Sequence, residues 1–463
     1  MQINRRVNMG ISDVKDRFKQ MPPGMNMDQA IVEAERCLLC HDAPCSKACP
    51  AGTEPGEFIR KLRLRNITGA IRTIKSNNIL GGACGVLCPT AELCERECSA
   101  MMASDENPGG SDKAIRIGDI QRFLVEHSRE IDFQPVEVEE SGVSGKIAVV
   151  GSGPAGLSCA AEVSKLGYKA TIFEALAEPG GVLRYGVVPF RCDTDFVEKE
   201  IADVTALGVE IKCNSPIEGK AAAEDLLKQG YDAVFMAPGL WGAYALQDDS
   251  ANIDGCYSSV DFLASIRNEN FDNIISDFKG KTVAVIGGGS VAMDCVEAAA
   301  RLDTTDVNLI YRRSYTQMPA EEIERIEALQ HGINFYILHQ PTEFLKDGNK
   351  LTGLKLVRTK LGEPDESGRR RPLLIEGTEW DMPADIVIEA IGNKAVDDSS
   401  DWYPNVKVDG KKLIVAESET GATSVPGIFA GGDIVRGPAL VVEAVQDGKV
   451  AAKAIHEYLS DKE

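Results

Sequence analysis

The chain lacks several features that would place it at a membrane, on nucleic acid or outside the cell. Its 463 residues contain no run of about 18 apolar residues, the length needed to span a bilayer. The first twenty residues, MQINRRVNMGISDVKDRFKQ, have no apolar stretch typical of a secretory signal. The formal net charge of −21 disfavours non-specific binding to nucleic acid or to anionic lipid. We therefore expect a cytoplasmic protein with no membrane span and no nucleic-acid partner.

The later part of the chain also lacks a C-x-x-C pair, the motif expected of a disulfide reductase. Eight of the thirteen cysteines lie between residues 37 and 98. An odd number of cysteines in so long a chain argues against a secreted disulfide scaffold. We interpret the five scattered cysteines as small buried hydrophobic side chains; they are Cys159, Cys192, Cys213, Cys256 and Cys295.

A glycine-rich turn follows a short apolar run in KIAVVGSGPAG, at residues 146–156. In a G-x-G-x-x-G turn the first glycine allows a tight bend, the second lets a pyrophosphate approach the backbone, and the third lets the helix pack on the strand. Glu174 ends the next β-branched run, where a carboxylate accepts hydrogen bonds from a ribose. The alternative is a purely structural turn. We predict a dinucleotide site formed by Gly151, Gly153, Pro154, Ala155, Gly156 and Glu174.

The pattern recurs in KTVAVIGGGSVAMD, at residues 281–294. Its next strand is predicted to end at Arg312 and Arg313, where an acid would favour NAD and an arginine can pair with the 2′-phosphate of NADP. The local chemistry leans towards NADP, and a solvated arginine pair on a surface loop is the alternative. We predict an NAD(P)H site that uses Gly287, Gly289, Ser290, Ala292, Arg312 and Arg313.

Two further glycine motifs fit a flavin. EPGGVLRYGVVPF, which contains Gly181, follows the first turn. Near the C-terminus, Gly432 and Asp433 in FAGGDIV are predicted to end a strand and open a helix, where an aspartate can hold the ribityl chain of FAD. This arrangement resembles the flavoproteins with two dinucleotide domains, in which the first and last segments bind FAD and the middle segment binds NAD(P)H.

The clustered cysteines occur in CLLCHDAPCSKACP and CGVLCPTAELCEREC. The first run has the form C-x2-C-x4-C-x3-C-P, and bacterial ferredoxins have C-x2-C-x2-C-x3-C-P, whose fourth cysteine ligates the other cluster. Zinc sites favour two C-x2-C pairs or added histidines, whereas this region has one such pair and one histidine, His41. We predict two [4Fe–4S] clusters; zinc and free or disulfide-bonded thiols are the alternatives.

With these motifs the chain resembles the electron-input flavoprotein subunit of bacterial NAD-dependent dihydropyrimidine dehydrogenase. It is also similar to the N-terminal half of the animal dihydropyrimidine dehydrogenase and to the glutamate synthase small subunit. The resemblance runs from about residue 28 to the C-terminus, and DAPCSKACP and LCPT favour the dihydropyrimidine dehydrogenase branch. The matching stretches are CLLCHDAPCSKACP, GGACGVLCPTAELC, IRIGDIQRF, GSGPAG and FAGGDIV.

The resemblance implies the ligands of each cluster. The first cluster would take Cys37, Cys40, Cys45 and Cys98, and the second Cys49, Cys88, Cys94 and Gln121. Cys84 would be a bystander. Gln121 is the unusual ligand, and the alternative for it is a surface position on a helix. The stretch MMASDENPGGSD, between Cys98 and Gln121, looks like an insertion relative to the family.

The expected fold is an α-helical iron–sulfur domain at residues 1–140 followed by two doubly wound α/β domains. FAD would bind at 146–256 and 390–463, and NAD(P)H at 257–389. By resemblance, NADPH or NADH reduces FAD, and single electrons leave through the two clusters to an FMN-containing, iron–sulfur catalytic subunit that reduces uracil or thymine. A glutamate synthase large subunit or a ferredoxin-linked bifurcating partner is the alternative acceptor. A non-catalytic assembly or sensor protein is the alternative of a different class.

Overall fold

The structure is a computed structural model that describes residues 13–19, 21–101, 113–133, 136, 138, 144–268, 270–365 and 368–461. The apparent insertion after Cys98 and most of the polar segment before residue 144 lie outside the described residues. The chain forms two compact units. The larger unit comprises Pro22–Arg184, Thr194–Leu240 and Ala395–Glu463, and the smaller unit comprises Met1–Met21, Tyr185–Asp193 and Trp241–Lys394. Among the described helices, none is both long and apolar enough to cross a membrane.

Helix α1, Val14–Phe18, belongs to the smaller unit. The Phe18 ring lies edge-on to Phe271 with centroids 5.0 Å apart, and Arg17 pairs with Asp303 at 2.6 Å. The sequence analysis had grouped this segment with the cysteine region, because nothing in its own composition shows that Phe18 completes the core of a distant domain.

The cysteine region of the larger unit is helical, as predicted. The spacing of apolar residues from Phe58 to Ile74 predicts one amphipathic helix over residues 56–78, and this prediction is wrong because the chain breaks into two helices there. Arg65 adopts a left-handed φ of +63°, and the Asn66 side chain then caps the second helix by accepting from the Gly69 N–H at 3.0 Å. The helices are α2 (Met27–Glu35), α3 (Pro44–Lys47), α4 (Pro55–Arg63), α5 (Ile67–Asn77), α6 (Gly81–Leu87) and α7 (Ile117–Glu130).

The larger unit continues as an α/β fold whose strands alternate with helices, the pattern that produces a parallel sheet. Its central strands are almost wholly buried, because helices cover both faces of such a sheet. The elements are β1 (Lys146–Val150), α8 (Pro154–Lys165), β2 (Lys169–Phe173), α9 (Val182–Tyr185), α10 (Thr194–Thr205), β3 (Glu210–Lys212), α11 (Ala222–Lys228) and β4 (Ala233–Met236).

The smaller unit contains a second parallel sheet in the order β6-β14-β7-β8-β9 and an antiparallel sheet that the sequence analysis had not anticipated. In the antiparallel sheet β11 pairs with β10, β12 and β13. The elements are β5 (Gly242–Ala243), β6 (Cys256–Ser258), α12 (Ser259–Ile266), α13 (Phe271–Phe278), β7 (Thr282–Ile286), α14 (Ser290–Arg301), β8 (Asp306–Tyr311), α15 (Glu322–Gln330), β9 (Asn334–Ile337), β10 (His339–Asp347), β11 (Lys350–Pro364), β12 (Arg370–Leu374), β13 (Trp380–Pro383), β14 (Ile386–Glu389) and β15 (Asn393–Lys394).

The chain then returns to the larger unit, where α16 (Ser399–Trp402), β16 (Ile428–Ala430), α17 (Asp433–Arg436) and α18 (Val441–Ser460) complete the fold. The larger sheet has the order β16-β4-β1-β2-β3. Strands β1 and β7 each have a neighbour on either side that comes later in the chain. The strand order therefore reverses at these two strands, and α/β folds bind ligands beyond the carboxyl ends of the strands at such points.

Candidate functional site

The first glycine turn is shaped by close backbone contacts on one side and by open space on the other. Gly151 has φ +96°, and a β-carbon there would lie 2.3 Å from the carbonyl oxygen of Ala237. A β-carbon at Gly156 would lie 2.0 Å from the carbonyl oxygen of Gly151. A β-carbon at Gly153 would meet nothing within 4 Å. The turn therefore has the tight bend, the close helix–strand packing and the open approach that a pyrophosphate needs.

Glu174 lies beside this turn, and a residue that the sequence analysis missed connects them. The buried Glu174 carboxylate accepts from the Ser152 N–H at 3.0 Å and from the Ser152 hydroxyl. The same hydroxyl oxygen accepts from the Gly180 N–H at 2.9 Å. Gly181 follows with φ +52°, and a β-carbon on it would come within 2.6 Å of the Gly153 α-carbon. The predicted residues Gly153, Glu174 and Gly181 thus meet around Ser152, the residue inside the G-S-G motif.

The C-terminal motif reaches the same turn. Gly432 has φ +74°, and a β-carbon on it would lie 3.0 Å from the Ala155 β-carbon, next to Pro154 at the start of α8. Asp433 begins α17, and burial raises the pKa of its carboxyl group to about 6. Asp447 supports the motif by accepting from the Gly432 N–H at 2.9 Å. The structure therefore brings the two halves of the predicted FAD site together.

The second turn, in the smaller unit, repeats the construction of the first. Gly287 would place a β-carbon 2.3 Å from the Ala390 carbonyl oxygen and 3.1 Å from the Ala292 β-carbon. A β-carbon at Gly289 would meet nothing within 4 Å. Ser290 begins α14, and its hydroxyl donates to Glu324 at 2.8 Å. The open side again lies at the second glycine of the G-x-G turn, Gly289, where a pyrophosphate is expected.

The two predicted arginines follow β8, which pairs with β7 in parallel, so they stand at the same edge of the sheet as the second turn. The two side chains differ in exposure and in hydrogen bonding. Arg312 is exposed, whereas the Arg313 Nε donates to the carbonyl oxygen of Arg370 at 2.9 Å. Arg312 is therefore the better placed of the two to pair with a ligand phosphate.

Four of the clustered cysteines line one pocket, and they are the four predicted for the first cluster: Cys37, Cys40, Cys45 and Cys98. Leu39 adopts a left-handed φ of +55°, a costly conformation for leucine that lets the chain turn between Cys37 and Cys40. Burial, with a smaller effect of Cys37 and Cys98, raises the pKa of the Cys45 thiol to about 11. The pocket thus presents sulfur atoms in a setting that disfavours bare thiolates.

A second pocket is lined by the other predicted ligands, Cys49, Cys88, Cys94 and Gln121. Gln121 is only 6% exposed, so the alternative of a surface helix position is wrong. Its Nε2 donates to the Gly81 carbonyl oxygen at 2.6 Å. Cys49 Sγ accepts from the Thr53 N–H and donates to the Thr53 hydroxyl oxygen, both at 3.4 Å. Cys45 and Cys94 also interact electrostatically, so the two pockets are neighbours.

Cys84 lines the second pocket as well, although the resemblance treats it as a bystander. It is buried, and the Asn78 Nδ2 donates to its Sγ at 3.3 Å. The hydrogen bond between Cys84 and Cys88, followed by burial, raises the pKa of Cys88. The spacing of four residues between these cysteines on one helix was the sequence feature that could have shown this contact.

Two family models match the chain. The model described as dihydropyrimidine dehydrogenase domain II, 4Fe-4S cluster, matches residues 14–133. The model described as pyridine nucleotide-disulphide oxidoreductase matches residues 145–448. The chain belongs to the pyridine nucleotide-disulphide oxidoreductase family. The predicted fold class, the assignment as an NAD(P)H-dependent oxidoreductase and the cofactor set of FAD, [4Fe–4S] and NAD(P)H are confirmed by these matches.

Several curated members of the family are similar over nearly the whole chain. The NAD-dependent dihydropyrimidine dehydrogenase subunit PreT of Salmonella typhimurium is 36% identical over 96% of this chain and 97% of its own. The glutamate synthase [NADPH] small chain of Escherichia coli is 34% identical over 96% of this chain and 94% of its own. The NADP(+)-dependent formate dehydrogenase subunit beta of Moorella thermoacetica is 38% identical over 90% of this chain, which spans only 60% of that longer protein. The predicted resemblance is thereby confirmed.

Solved structures of pyridine-nucleotide reductases share the fold. FprA of Mycobacterium tuberculosis, in complex with NADPH, matches with a TM-score of 0.59 at 21% identity, over 69% of this chain and 85% of that one. The thioredoxin reductase of T. acidophilum matches with a TM-score of 0.52 at 22% identity, over 69% of this chain and 99% of that one. At such identities the likeness extends to the fold alone.

The side chains fit the cofactors of this pyridine nucleotide-disulphide oxidoreductase. None of the thirteen cysteines, all of which lie in the described part of the chain, forms a disulfide. In the described part of the chain, no three His, Cys, Asp or Glu side chains are grouped to hold a single metal ion. Each of the two pockets instead surrounds a space with at least three sulfur atoms, the donor type of iron–sulfur clusters. The open space beside Gly153 and beside Gly289 similarly fits the two pyrophosphates.

Proposed function

We propose that this chain is the electron-input subunit of a larger enzyme, taking electrons from NAD(P)H and delivering them to a separate catalytic protein. FAD, when bound, accepts electrons in pairs and the clusters carry them singly, and the residues described here hold these groups. The proposed FAD residues are Gly151, Gly153, Pro154, Ala155, Gly156, Glu174, Gly181, Gly432 and Asp433. The proposed NAD(P)H residues are Gly287, Gly289, Ser290, Ala292, Arg312 and Arg313.

The proposed cluster ligands are Cys37, Cys40, Cys45 and Cys98 for the first cluster and Cys49, Cys88, Cys94 and Gln121 for the second. The proposal keeps the predicted division of the chain, with clusters within 1–140, FAD at 146–256 and 390–463, and NAD(P)H at 257–389; α1 is packed in the smaller unit. It also keeps the cytoplasm as the location.

One observation carries the proposal: the second thiol pocket lies against the helix that packs on the first glycine turn. Val442 of α18 lines that pocket beside Cys49 and Gln121. Helix α18 in turn crosses α8 at Gly448, where a β-carbon would lie 2.4 Å from the Ala155 carbonyl oxygen. One helix therefore touches both the proposed FAD turn and the proposed ligands of the second cluster.

The partner is proposed to be an FMN- and iron–sulfur-containing dihydropyrimidine dehydrogenase subunit, which makes the enzyme a hetero-oligomer. The similarity to PreT supports this choice, because that protein is described as a dihydropyrimidine dehydrogenase subunit and matches almost end to end. The similarity to the glutamate synthase small chain is nearly as strong and supports a glutamate synthase large subunit as the second candidate.

The first experiment is the content of iron, acid-labile sulfide, zinc and flavin in the anaerobically purified protein. We expect about eight iron and eight sulfide per chain with one FAD, because two [4Fe–4S] clusters require that number. Zinc in place of iron would overturn the electron-transfer proposal. Adding a purified candidate partner and measuring NAD(P)H-dependent uracil reduction, with glutamine-dependent glutamate formation in parallel, then decides between the two partners.

A further inference from the structure

A buried group of charges joins the flavin-binding half of the larger unit to its cysteine region. Glu200, in α10, is fully buried, and its carboxylate accepts from Lys75 Nζ at 2.7 Å and from Arg129 Nη2 at 2.7 Å. Asp203, one turn further along α10, lies 2.6 Å from the same Lys75 Nζ. Two cations of the cysteine region thus meet two carboxylates of one flavin-side helix, and the charges balance.

Glu200 also bonds to the backbone of α6. Its second carboxylate oxygen accepts from the Ala83 N–H at 2.9 Å. The first N–H groups of a helix have no partner within the helix, and Leu80, the residue at the cap position, supplies no side-chain bond. Glu200, although distant along the chain, therefore caps α6 at Ala83. Ala83 lies one residue before Cys84 and five before Cys88.

A glycine in the first turn of α6 lets Glu200 and its neighbours approach the helix closely. A β-carbon at Gly82 would lie 2.8 Å from a Glu200 carboxylate oxygen and 2.9 Å from both Phe196 and Val125. The Arg129 guanidinium also stands 4.7 Å from the centre of the Phe196 ring. Because residue 82 is a glycine, α10 packs against α6 at a distance that a side chain at this position would prevent.

The same turn of α6 orients Gln121. The carbonyl oxygen of Gly81 accepts from the Gln121 Nε2, and the Ala83 N–H two residues later donates to Glu200. A shift of this turn would move the partner of the Gln121 amide together with the helix that ends at Cys88. Two proposed ligands of the second cluster therefore depend on the place where Glu200 holds α6.

We propose that Glu200 is a positioning residue for the second cluster, acting through the first turn of α6 on Cys88 and Gln121. This inference rests on the proposed function, because it takes those residues as ligands. A buried charge network is a weak source of stability but a strong constraint on geometry, since each charge needs its partner to offset desolvation. In this proposal, the charge network uses that constraint to hold the neighbouring site of the second cluster in position.

The test compares Glu200→Gln with Glu198→Gln in the full-length holoprotein. Glu198 is the matched control: it lies on the same helix, its side chain is 55% exposed and it pairs only with Arg184 in the described structure. The readout is the low-temperature EPR spectrum of the dithionite-reduced protein together with its FAD content. The signal of the second cluster is identified beforehand as the one altered by Gln121→Ala.

We expect Glu200→Gln to shift or lose that one signal, while the other signal and the FAD content stay unchanged and Glu198→Gln matches the wild type. Wild-type spectra for Glu200→Gln, or equal loss of both signals with the flavin, would overturn the inference. If Glu200→Gln does not fold, the double variant Lys75→Met with Glu200→Met removes one cation and one anion together. The same change in the second signal is expected, and its absence overturns the inference.

The outcomes separate this inference from the proposed function. Wild-type protein with about eight iron and both EPR signals sustains the electron-input proposal whatever Glu200 does. Wild-type protein with zinc and no iron removes the proposed function and this inference with it. Only the comparison of Glu200→Gln with Glu198→Gln tests the positioning role by itself.

Discussion

The Gln121 side chain donates from its Nε2 to the carbonyl oxygen of Gly81 at 2.6 Å, and Gln121 lines the same pocket as Cys49, Cys88 and Cys94. This bond distinguishes the two ends of the amide. The nitrogen is used by the backbone, and the oxygen is the end that remains for a ligand in the pocket. An oxygen ligand among thiolates is unusual for an iron–sulfur cluster, and the proposed ligand Gln121 lies buried on α7.

Replacing Gln121 tests this oxygen directly. We expect Gln121→Ala to lose the EPR signal of one cluster and to lower the iron content towards about four per chain, because one ligand disappears. Gln121→Glu keeps an oxygen ligand but turns a donor into an acceptor facing Gly81, so it should retain iron and shift the signal. Glu130→Gln, at the exposed end of the same helix, is the control. Unchanged iron and spectra in Gln121→Ala would exclude Gln121 as a ligand.

The open space beside Gly153 predicts a variant that folds but does not hold flavin. Gly153 has φ −69° and an extended ψ of 178°, which valine adopts, and a β-carbon there meets no atom within 4 Å. We expect Gly153→Val to keep its circular-dichroism spectrum and to lose FAD affinity by at least about 100-fold, since the side chain fills the expected pyrophosphate position. Fluorescence titration of FAD measures the loss.

Two matched variants make this result specific. Gly289 has the same open surroundings and an extended backbone in the second turn, so Gly289→Val should keep FAD and raise the KM for NAD(P)H. Gly410 is equally open but far along the chain from either turn, and Gly410→Val should change neither binding. A flavin content in Gly153→Val equal to that of Gly410→Val would contradict the assignment of the first turn.

We expect Arg312 to determine the preference for NADPH over NADH. Because it is exposed at the end of β8 while Arg313 bonds to the Arg370 carbonyl, we expect Arg312→Gln to raise the KM for NADPH about tenfold and leave the KM for NADH nearly unchanged. Steady-state reduction of ferricyanide with each nucleotide measures both constants. Arg313→Gln should have the smaller effect. Equal changes for NADPH and NADH would show that Arg312 does not contact a 2′-phosphate.

The parts of the site that follow local rules could be predicted, and those made by distant partners could not. The glycines and Glu174 are set by the bend, the strand and the helix that surround them in sequence, so their spacing carried the information. The cysteine sets and Gln121 were predicted from resemblance, and the structure brings both sets together in pockets. Ser152 was missed because a serine inside a glycine motif looks like a spacer. Cys84, which the resemblance treats as a bystander, lines the second pocket.

Contacts across long separations left no trace in the sequence. Glu200 is 125 residues from Lys75 and 117 from Ala83. Its place on the apolar face of α10, between Phe196 and Val204, indicates that it is buried, but nothing in the sequence identifies its partners. The break between α4 and α5 was missed for a different reason: apolar residues recur at near-helical spacing on both sides of it. That spacing masked a local signal, the Asn66 side chain that caps α5 by accepting from the Gly69 N–H.

Asp433 gives a prediction about pH. Burial holds the pKa of its folded-state carboxyl at about 6, above the usual value of 3.8. Between these values the folded carboxyl keeps its proton while the unfolded one is ionised, so the free energy of unfolding falls as pH rises through this window. This reduction in the free energy of unfolding is complete above about pH 6 and absent well below about pH 4.

Asp433→Asn should remove this dependence in flavin-depleted protein. We expect the variant to be more stable than the wild type by about 3 kcal/mol at pH 7.5 and nearly equally stable at pH 4, since the amide carries no charge at either pH while keeping an acceptor for the Ala439 N–H. Urea unfolding at both pH values measures the difference. Glu419→Gln, at an exposed acid of the same unit, controls for a general loss of negative charge. A constant difference at the two pH values would show that Asp433 titrates normally in the folded protein.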